Sequence, residues 1–427
     1  MKAIIFAAGS DGDIHPHLGI GCELLARGHQ IVFITTAEHL DAAQACGFEA
    51  VSFLGVEEKQ DFVRATQGLG IAAKIKSYCK IATTKVYECC ELARSRIDEQ
   101  TILIAPPLLF IVARLLHEKY GIPYVSTLLA PANLYSLRDP PSIKSLRWFA
   151  KLPYFVRKLL LHSVERTVMD PFFRMLLKTS AKQLELPLPR YVVSQWWHSP
   201  QKIIGLFYDW YYRPPADWPS QVTLTGFPLF NANTMETQLP YRLEQFLQAG
   251  PPPIVFTPGT EAQKCRSFFE AALKALQTLG QRGIFLTRAA DQLPALPETV
   301  VHANYLPLNL LLPRVSIVVH HGGIGTTAQA LLSGVPQLII PSFSDQLDNA
   351  RRVEHLGCGM ALEDSNDLSS LTGKLRQLLK PDVGAACHTI QTLMESGSIA
   401  RRRAADAIEE TFYGVYGQLN NEKAKTS

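Results

Sequence analysis

The sequence predicts an α/β protein of two Rossmann-like domains facing a cleft. Three observations predict it. The chain has 427 residues, more than one ordinary domain and enough for two of about 200. Short apolar runs of strand length recur in both halves, separated by helix-length stretches, as in βαβ units with a buried parallel sheet. In each half one such run leads into a glycine-containing turn and a helix start, at residues 9–16 and 320–327.

The elements follow in order. Residues 3–8 form the first strand, and Gly9-Ser10-Asp11-Gly12-Asp13-Ile14-His15-Pro16 is the loop after it. Pro16 suits the first turn of a helix that runs to Arg27, and Gly28 closes it. A strand at 31–35, a helix through Ala42 and Ala43 and a strand at 50–54 complete a βαβαβ unit. The loop is not G-x-G-x-x-G, and no acidic residue closes the second strand, which argues against a dehydrogenase. Residues 55–100 read as helices and loops. A strand at 101–105, a helix at 110–119 and a strand at 124–127 come next.

From 140 to 189 the composition changes. Trp148, Phe149, Tyr154, Phe155, Leu159, Phe172 and Phe173 mix with Lys151, Arg157, Lys158, Arg166, Arg174 and Lys178, and acids are few. Such a stretch lines an apolar acceptor pocket or touches an anionic membrane surface. It equally suits an amphipathic helical pair packed on its own domain. A strand at 203–207 follows, and the polar stretch 231–240 is a linker. The second half opens with a strand at 253–257 and the turn Pro258-Gly259-Thr260, from which Thr260 reaches a phosphate. A strand at 284–287 ends at Arg288. Helices follow Pro381, and the polar tail from Asn420 is expected to fray.

The chemistry concentrates at His320-His321-Gly322-Gly323-Ile324-Gly325-Thr326-Thr327. It lies between a strand at 316–319 and a short helix at 328–332 that Gly334 and Pro336 end. Such a turn points free backbone N–H groups and the positive end of a helix at one place. The glycines admit a ligand to the backbone, the threonines add hydroxyls, and His321 adds a donor able to carry charge. A phosphate or diphosphate fits; an ordinary tight turn with a surface histidine is the plain alternative. After a strand at 337–341, Ser344 caps a helix whose apolar face is Leu347, Ala350, Val353 and Leu356, with Gly357 past its end. Asp345 and Gln346 then stand at the carboxyl end of a strand, where open α/β sheets bind ligands. A carboxylate beside an amide bridges sugar-like hydroxyls, or serves as a plain acidic helix start.

Together, His320 to Thr327, Gly334-Val335-Pro336-Gln337, Pro341 and Asp345-Gln346-x-x-Asn349-Ala350 resemble the donor signature of the nucleotide-sugar-dependent glycosyltransferases of the two-Rossmann, or GT-B, architecture. The resemblance implies that His321, Gly323, Gly325 and Thr326 hold the diphosphate and that Asp345 and Gln346 hold the sugar hydroxyls. It adds Ser10, Thr260, Arg288 and Gln329 to the donor site. Tyr305 and Leu306 fall in the segment that packs on the nucleobase, although a core tyrosine is an equal reading of Tyr305. Gly9-Ser10-x-Gly12-Asp13-x-x-Pro16 resembles the family's first loop, whose aspartate is the general base; Asp13 is otherwise an acidic helix start. Residues 1–230 would then bind the acceptor, 241–400 the donor, and 401–427 would cross back to the first domain. Asp11-Gly12-Asp13 also spells D-x-D, the metal motif of another glycosyltransferase class, but its place at a helix start is wrong for that, so no metal and no cofactor beyond the nucleotide sugar is expected.

Trp197-His198-Ser199-Pro200-Gln201, Asp217-Trp218-Pro219, residues 225–230 and residues 117–124 are similar to the rhamnosyltransferases of rhamnolipid synthesis. That implies an inverting transfer of L-rhamnose from dTDP-L-rhamnose to a 3-hydroxyacyl lipid, with Trp148, Phe149, Phe155 and Phe172 on the acceptor. A UDP-glucose-type transferase acting on a sterol, polyketide or aromatic is the alternative. A nucleotide-sugar 2-epimerase and an inactive activator subunit are further ones.

The remaining composition sets limits. The net charge of +4 is too mild to imply nucleic acid. Eight cysteines without C-x-x-C spacing read as reduced thiols of a cytoplasmic protein. The apolar start is strand-length, and no run approaches the roughly 18 apolar residues of a membrane span, leaving peripheral contact at the inner membrane face as the membrane option.

Overall fold

The computed structural model describes residues 1–58, 71–106, 109–140, 147–231, 238–258, 265–342, 345–362 and 367–426. Two parallel sheets form the chain. The first has seven strands: β1 (Lys2–Phe6), β2 (Gln30–Thr36), β3 (Glu49–Leu54), β4 (Thr101–Ala105), β5 (Tyr124–Leu128), β6 (Lys202–Gly205) and β7 (Val222–Leu224), in the order β3-β2-β1-β4-β5-β6-β7. The second has six: β8 (Ile254–Thr257), β9 (Gly283–Leu286), β10 (Val300–Ala303), β11 (Ile317–His320), β12 (Gln337–Ile339) and β13 (Gly359–Ala361), in the order β10-β9-β8-β11-β12-β13. Ala3, Ile4, Ile5 and Phe6 on β1 and Ile317, Val318 and Val319 on β11 are fully buried. That is why these runs read as apolar without alternation.

Strand order reverses between β1 and β4 in the first sheet and between β8 and β11 in the second. A crevice opens at the carboxyl ends of strands at such a switch point. The loop after β1 carries Asp13 and the loop after β11 carries His321, so each half offers its motif at its own switch point. Cores lie on the helix-covered faces of both sheets. One of them is shared: Ile14 and Leu18 of the first half pack in the same cluster as Ile324, Ala328 and Leu331 of the second.

The long helix Gly397–Thr426 follows the second sheet and returns to the first half. Ala404, Ala405 and Ile408 are buried in the shared cluster. Arg27 bonds Asp406 at 2.7 Å and Glu409 at 2.6 Å, while His29 meets the other Glu409 oxygen at 2.6 Å. The helix runs through Thr426. Among the described residues no helix is long and apolar enough to cross a membrane.

Candidate active site

The first half's site begins one residue after Gly9. Ser10 is the N-cap of the helix Asp11–Ala26. The Ser10 N–H and hydroxyl both donate to Asp13 Oδ2, at 2.8 and 2.9 Å. This capping box starts the helix five residues before Pro16, so Pro16 lies inside it and not at its first turn. Asp11, Gly12 and Asp13 are therefore first-turn residues, and the Asp13 carboxylate is both a cap and a group at the mouth of the switch point. Gly9, at φ +127°, has no room for a side chain, since a Cβ there would lie 2.4 Å from Asp13 Oδ2.

His17, one turn on, was not singled out by its sequence context. Its Nδ1–H donates to the Asp13 carbonyl at 2.7 Å, and Nε2 accepts from the Thr127 hydroxyl at 2.8 Å. Full burial pushes its pKa down to about 4, so it stays neutral and ties the helix to β5.

In the second half the adjacent histidines have different jobs. His320, the last residue of β11, is buried; its Nδ1 accepts the Gly322 N–H at 3.1 Å, which leaves Nε2–H to donate to Gln337 at 3.0 Å. Burial, with His321 alongside, lowers its pKa to about 3. This neutral imidazole shapes the glycine turn. His321 is half-buried, its Nδ1 makes no hydrogen bond among the described residues, and burial lowers its pKa as well. Its Nε2 lies where it would touch a Cβ on Gly323, at 2.6 Å, so a side chain there would displace the His321 ring. Gly322 adopts φ +93°, and a Cβ would sit 2.6 Å from an Ile339 methyl.

Gly323 is the N-cap of the helix Ile324–Leu332. The helix starts four residues earlier than its sequence suggested, placing Gly325 and Thr326 in the first turn, half-exposed, and Gln329 one turn further on. Glycines and threonines are poor helix formers, but the first turn is where unpaired N–H groups serve a ligand. Thr327 points the other way and is fully buried.

Asp345 is the N-cap of the helix Gln346–His355, a role expected of Ser344, which lies outside the described residues. Gln346 is buried and its Oε1 accepts the Ser342 N–H at 2.8 Å. Asn349, part of the same motif but given no role by the sequence, is the residue that ties the site together. Its amide donates to Asp345 Oδ2 at 2.8 Å and to the Gly322 carbonyl at 3.0 Å, and its oxygen accepts the Tyr211 hydroxyl at 3.1 Å. One buried amide thus joins the sugar candidate, the glycine turn and the first half. The same helix is bolted further along: Arg352 pairs with buried Asp348 at 2.7 Å and lies over the Tyr212 ring at 4.0 Å, while Arg351 reaches Asp139 at 3.0 Å.

The two halves meet at glycine. A Cβ on Gly325 would lie 3.3 Å from Gly12 Cα, and one on Gly12 would lie 3.9 Å from Gly325 N. Two helix N-termini therefore converge, with Asp13 on one and the His321 turn behind the other. Their partial positive ends sum at the cleft.

The other candidates divide. Arg288 is exposed just past β9, and Tyr305 is half-buried past β10. The Leu306 side chain is buried in the core with Leu311 and Val318, which leaves its main chain to face a ligand. Thr260 lies outside the described residues. Of the acceptor candidates, Trp148 and Phe155 are exposed, Phe149 is half-buried edge-on to Trp148, and Phe172 packs against the core cluster of Val112 and Leu177. A cavity of about 360 Å³ lies at the carboxyl ends of β2 and β3, lined by Phe53, Leu54, Lys85 and Leu92 among others; it is away from the donor motif.

Residues 274–394 match the family described as "Erythromycin biosynthesis protein CIII-like, C-terminal domain". An uncharacterized protein of Mycobacterium bovis is 24% identical over 96% of both chains. A sterol 3-beta-glucosyltransferase of Arabidopsis thaliana is 25% identical over 93% of this chain and 66% of its own. The O-mycaminosyltylonolide 6-deoxyallosyltransferase of Streptomyces fradiae is 34% identical over 34% of this chain and 33% of its own. Among solved structures, the kitacinnamycin glycotransferase superposes with a TM-score of 0.74 at 19% identity, covering 96% of this chain and 99% of that one. A spinosyn rhamnosyltransferase complexed with thymidine diphosphate gives 0.61 at 17% identity, covering 95% and 100%. Two parallel sheets with opposed switch points give the chain the GT-B fold, and the family match and these relatives support a nucleotide-sugar-dependent glycosyltransferase.

Proposed function

We propose that the chain transfers a deoxysugar, L-rhamnose from dTDP-L-rhamnose in the first instance, to a hydroxyl of a lipid-like acceptor with inversion. The close approach of the two helix starts at Gly12 and Gly325 supports this most, because it would let Asp13 and the helix start after His321 act on one substrate. Asp13 takes the proton of the acceptor hydroxyl as that oxygen bonds to the anomeric carbon. The bond from that carbon to the diphosphate oxygen breaks, and the N–H groups of the helix Ile324–Leu332, with His321, receive the negative leaving group. Asp345, held by Asn349, and Gln346 orient the sugar. No step requires a metal.

His321 makes this reading pH-dependent. Burial lowers its pKa, and a bound diphosphate would raise it again, so binding takes up a proton and tightens as pH falls through the histidine range. The imidazole supplies a charge-assisted bond of about 1.5–3 kcal/mol, so His321→Ala weakens nucleoside diphosphate binding by roughly 10–150-fold. Calorimetry in buffers of different ionisation enthalpy checks both points: the variant should lose affinity and the proton uptake together. Unchanged affinity would remove His321 from the site. A chelator should leave turnover intact.

Gln329 stands where many UDP-dependent relatives carry a ribose-gripping glutamate, and a neutral amide suits a deoxyribose. The likenesses to a spinosyn rhamnosyltransferase and to the O-mycaminosyltylonolide 6-deoxyallosyltransferase support a deoxysugar donor. The sterol glucosyltransferase likeness favours a second reading, UDP-glucose to a sterol or polyketide. Thermal stabilisation by dTDP and UDP separates them. Tighter dTDP binding is expected; a clear preference for UDP would pass the function to the second reading.

A further inference from the structure

The helix Tyr154–Val164 has no buried residue. Phe155 and Leu159, one turn apart on one face, are 71% and 67% exposed. Trp148, Val168 and Met175 are further exposed large apolar side chains of the same segment. Isolated exposed apolar residues are ordinary, but a run of large ones on consecutive turns is not.

The charges around it are one-sided. The segment 148–183 carries two carboxylates, and both face inward. Glu165 accepts the Ser194 N–H and hydroxyl at 2.8 and 2.7 Å; Asp170 accepts the Tyr191 and Val192 N–H groups at 2.9 and 3.0 Å. Lys151, Lys158, Arg166, Arg174, Lys178 and Lys182 are exposed. The segment therefore shows cations and bare apolar side chains, with both of its own carboxylates buried, in a chain whose total charge is only +4.

We propose that this face docks on an anionic lipid bilayer, with Phe155 and Leu159 entering the headgroup layer and the surrounding lysines and arginines meeting lipid phosphates. Aromatic and aliphatic side chains rimmed by lysine and arginine are the composition of an interfacial helix. A second copy of the chain is disfavoured as occupant, because pairing this face with itself sets cations against cations. The docking role stands apart from the acceptor assignment: a helix without a buried residue offers an outward surface.

The test is co-sedimentation of the full chain with vesicles of phosphatidylcholine alone or mixed with phosphatidylglycerol. Binding is expected only to the anionic vesicles and should weaken with salt. Lys158→Glu with Arg166→Glu should lower partitioning by about tenfold or more. Leu159→Ser should also lower partitioning at unchanged unfolding midpoint, since its side chain is already exposed. Turnover of a soluble acceptor without vesicles is read in parallel. A raised acceptor KM there, with vesicle binding intact, would return these residues to the acceptor site and overturn the proposal. No binding by the wild type, equal binding to both vesicle types, or an acid-rich protein or second copy bound in place of vesicles would overturn it too.

Discussion

Asp13→Asn is expected to lower turnover by about 10²–10⁴-fold, the range of a positioned general base, with nucleoside diphosphate affinity and unfolding midpoint near wild type. The reason lies in what the substitution keeps. Asparagine is isosteric, and its carbonyl can still accept from the Ser10 hydroxyl and N–H that hold Asp13 Oδ2. The helix start at Asp11 therefore survives, and with it the approach of Gly12 to Gly325. Only the ability to accept a proton goes. Neighbouring His17 cannot substitute, because both its nitrogens are committed and burial holds its pKa near 4. Initial rates and diphosphate titrations on the same preparation decide it: near-normal turnover removes Asp13 from the chemistry, and lost diphosphate affinity makes it a structural cap.

Gly325→Val is expected to cost about 10²-fold in turnover, the effect of displacing reacting groups by about 1 Å. A Cβ here already lies 3.3 Å from Gly12 Cα, which is backbone within a helix turn and cannot move alone. The two valine methyls must push the halves apart or fill the place of the diphosphate. Overpacking of this kind destabilises by about 1–3 kcal/mol. Gly12→Ala should be milder, because its Cβ meets nothing nearer than Ser10 Oγ at 3.6 Å. Equal effects of the two substitutions, or a fully active Gly325→Val, would mean that the halves do not work in this closed arrangement.

The fold was legible because the strands that matter are buried on both sides. β1, β4 and β11 appear as apolar runs within a residue or two of their observed bounds. β7, β10 and β13 passed unnoticed, since three or four residues at or beside a sheet edge leave little apolar signal. Helix starts were less readable. Pro16 looked like a first-turn proline, but the Ser10–Asp13 capping box outweighed it; the helix after His321 began among glycines and threonines that propensity alone would exclude. In the site, His321, Asp345 and Gln346 were visible as an ordered motif. What linked them was not. The Tyr211–Asn349 bond joins residues 138 positions apart, and the Gly12–Gly325 approach joins positions farther apart still, so neither leaves a local pattern.

The central claim is one displacement at the anomeric carbon, with Asp13 and the His321 turn on opposite sides. The most direct measurement supplies a nucleotide sugar with and without a panel of hydrophobic alcohols, following nucleoside diphosphate release and the anomeric configuration of the product by proton NMR. The predicted result is release that depends on an acceptor, with a glycoside of inverted configuration. Release without acceptor and with an epimerised free sugar, or a glycoside of retained configuration, would contradict it.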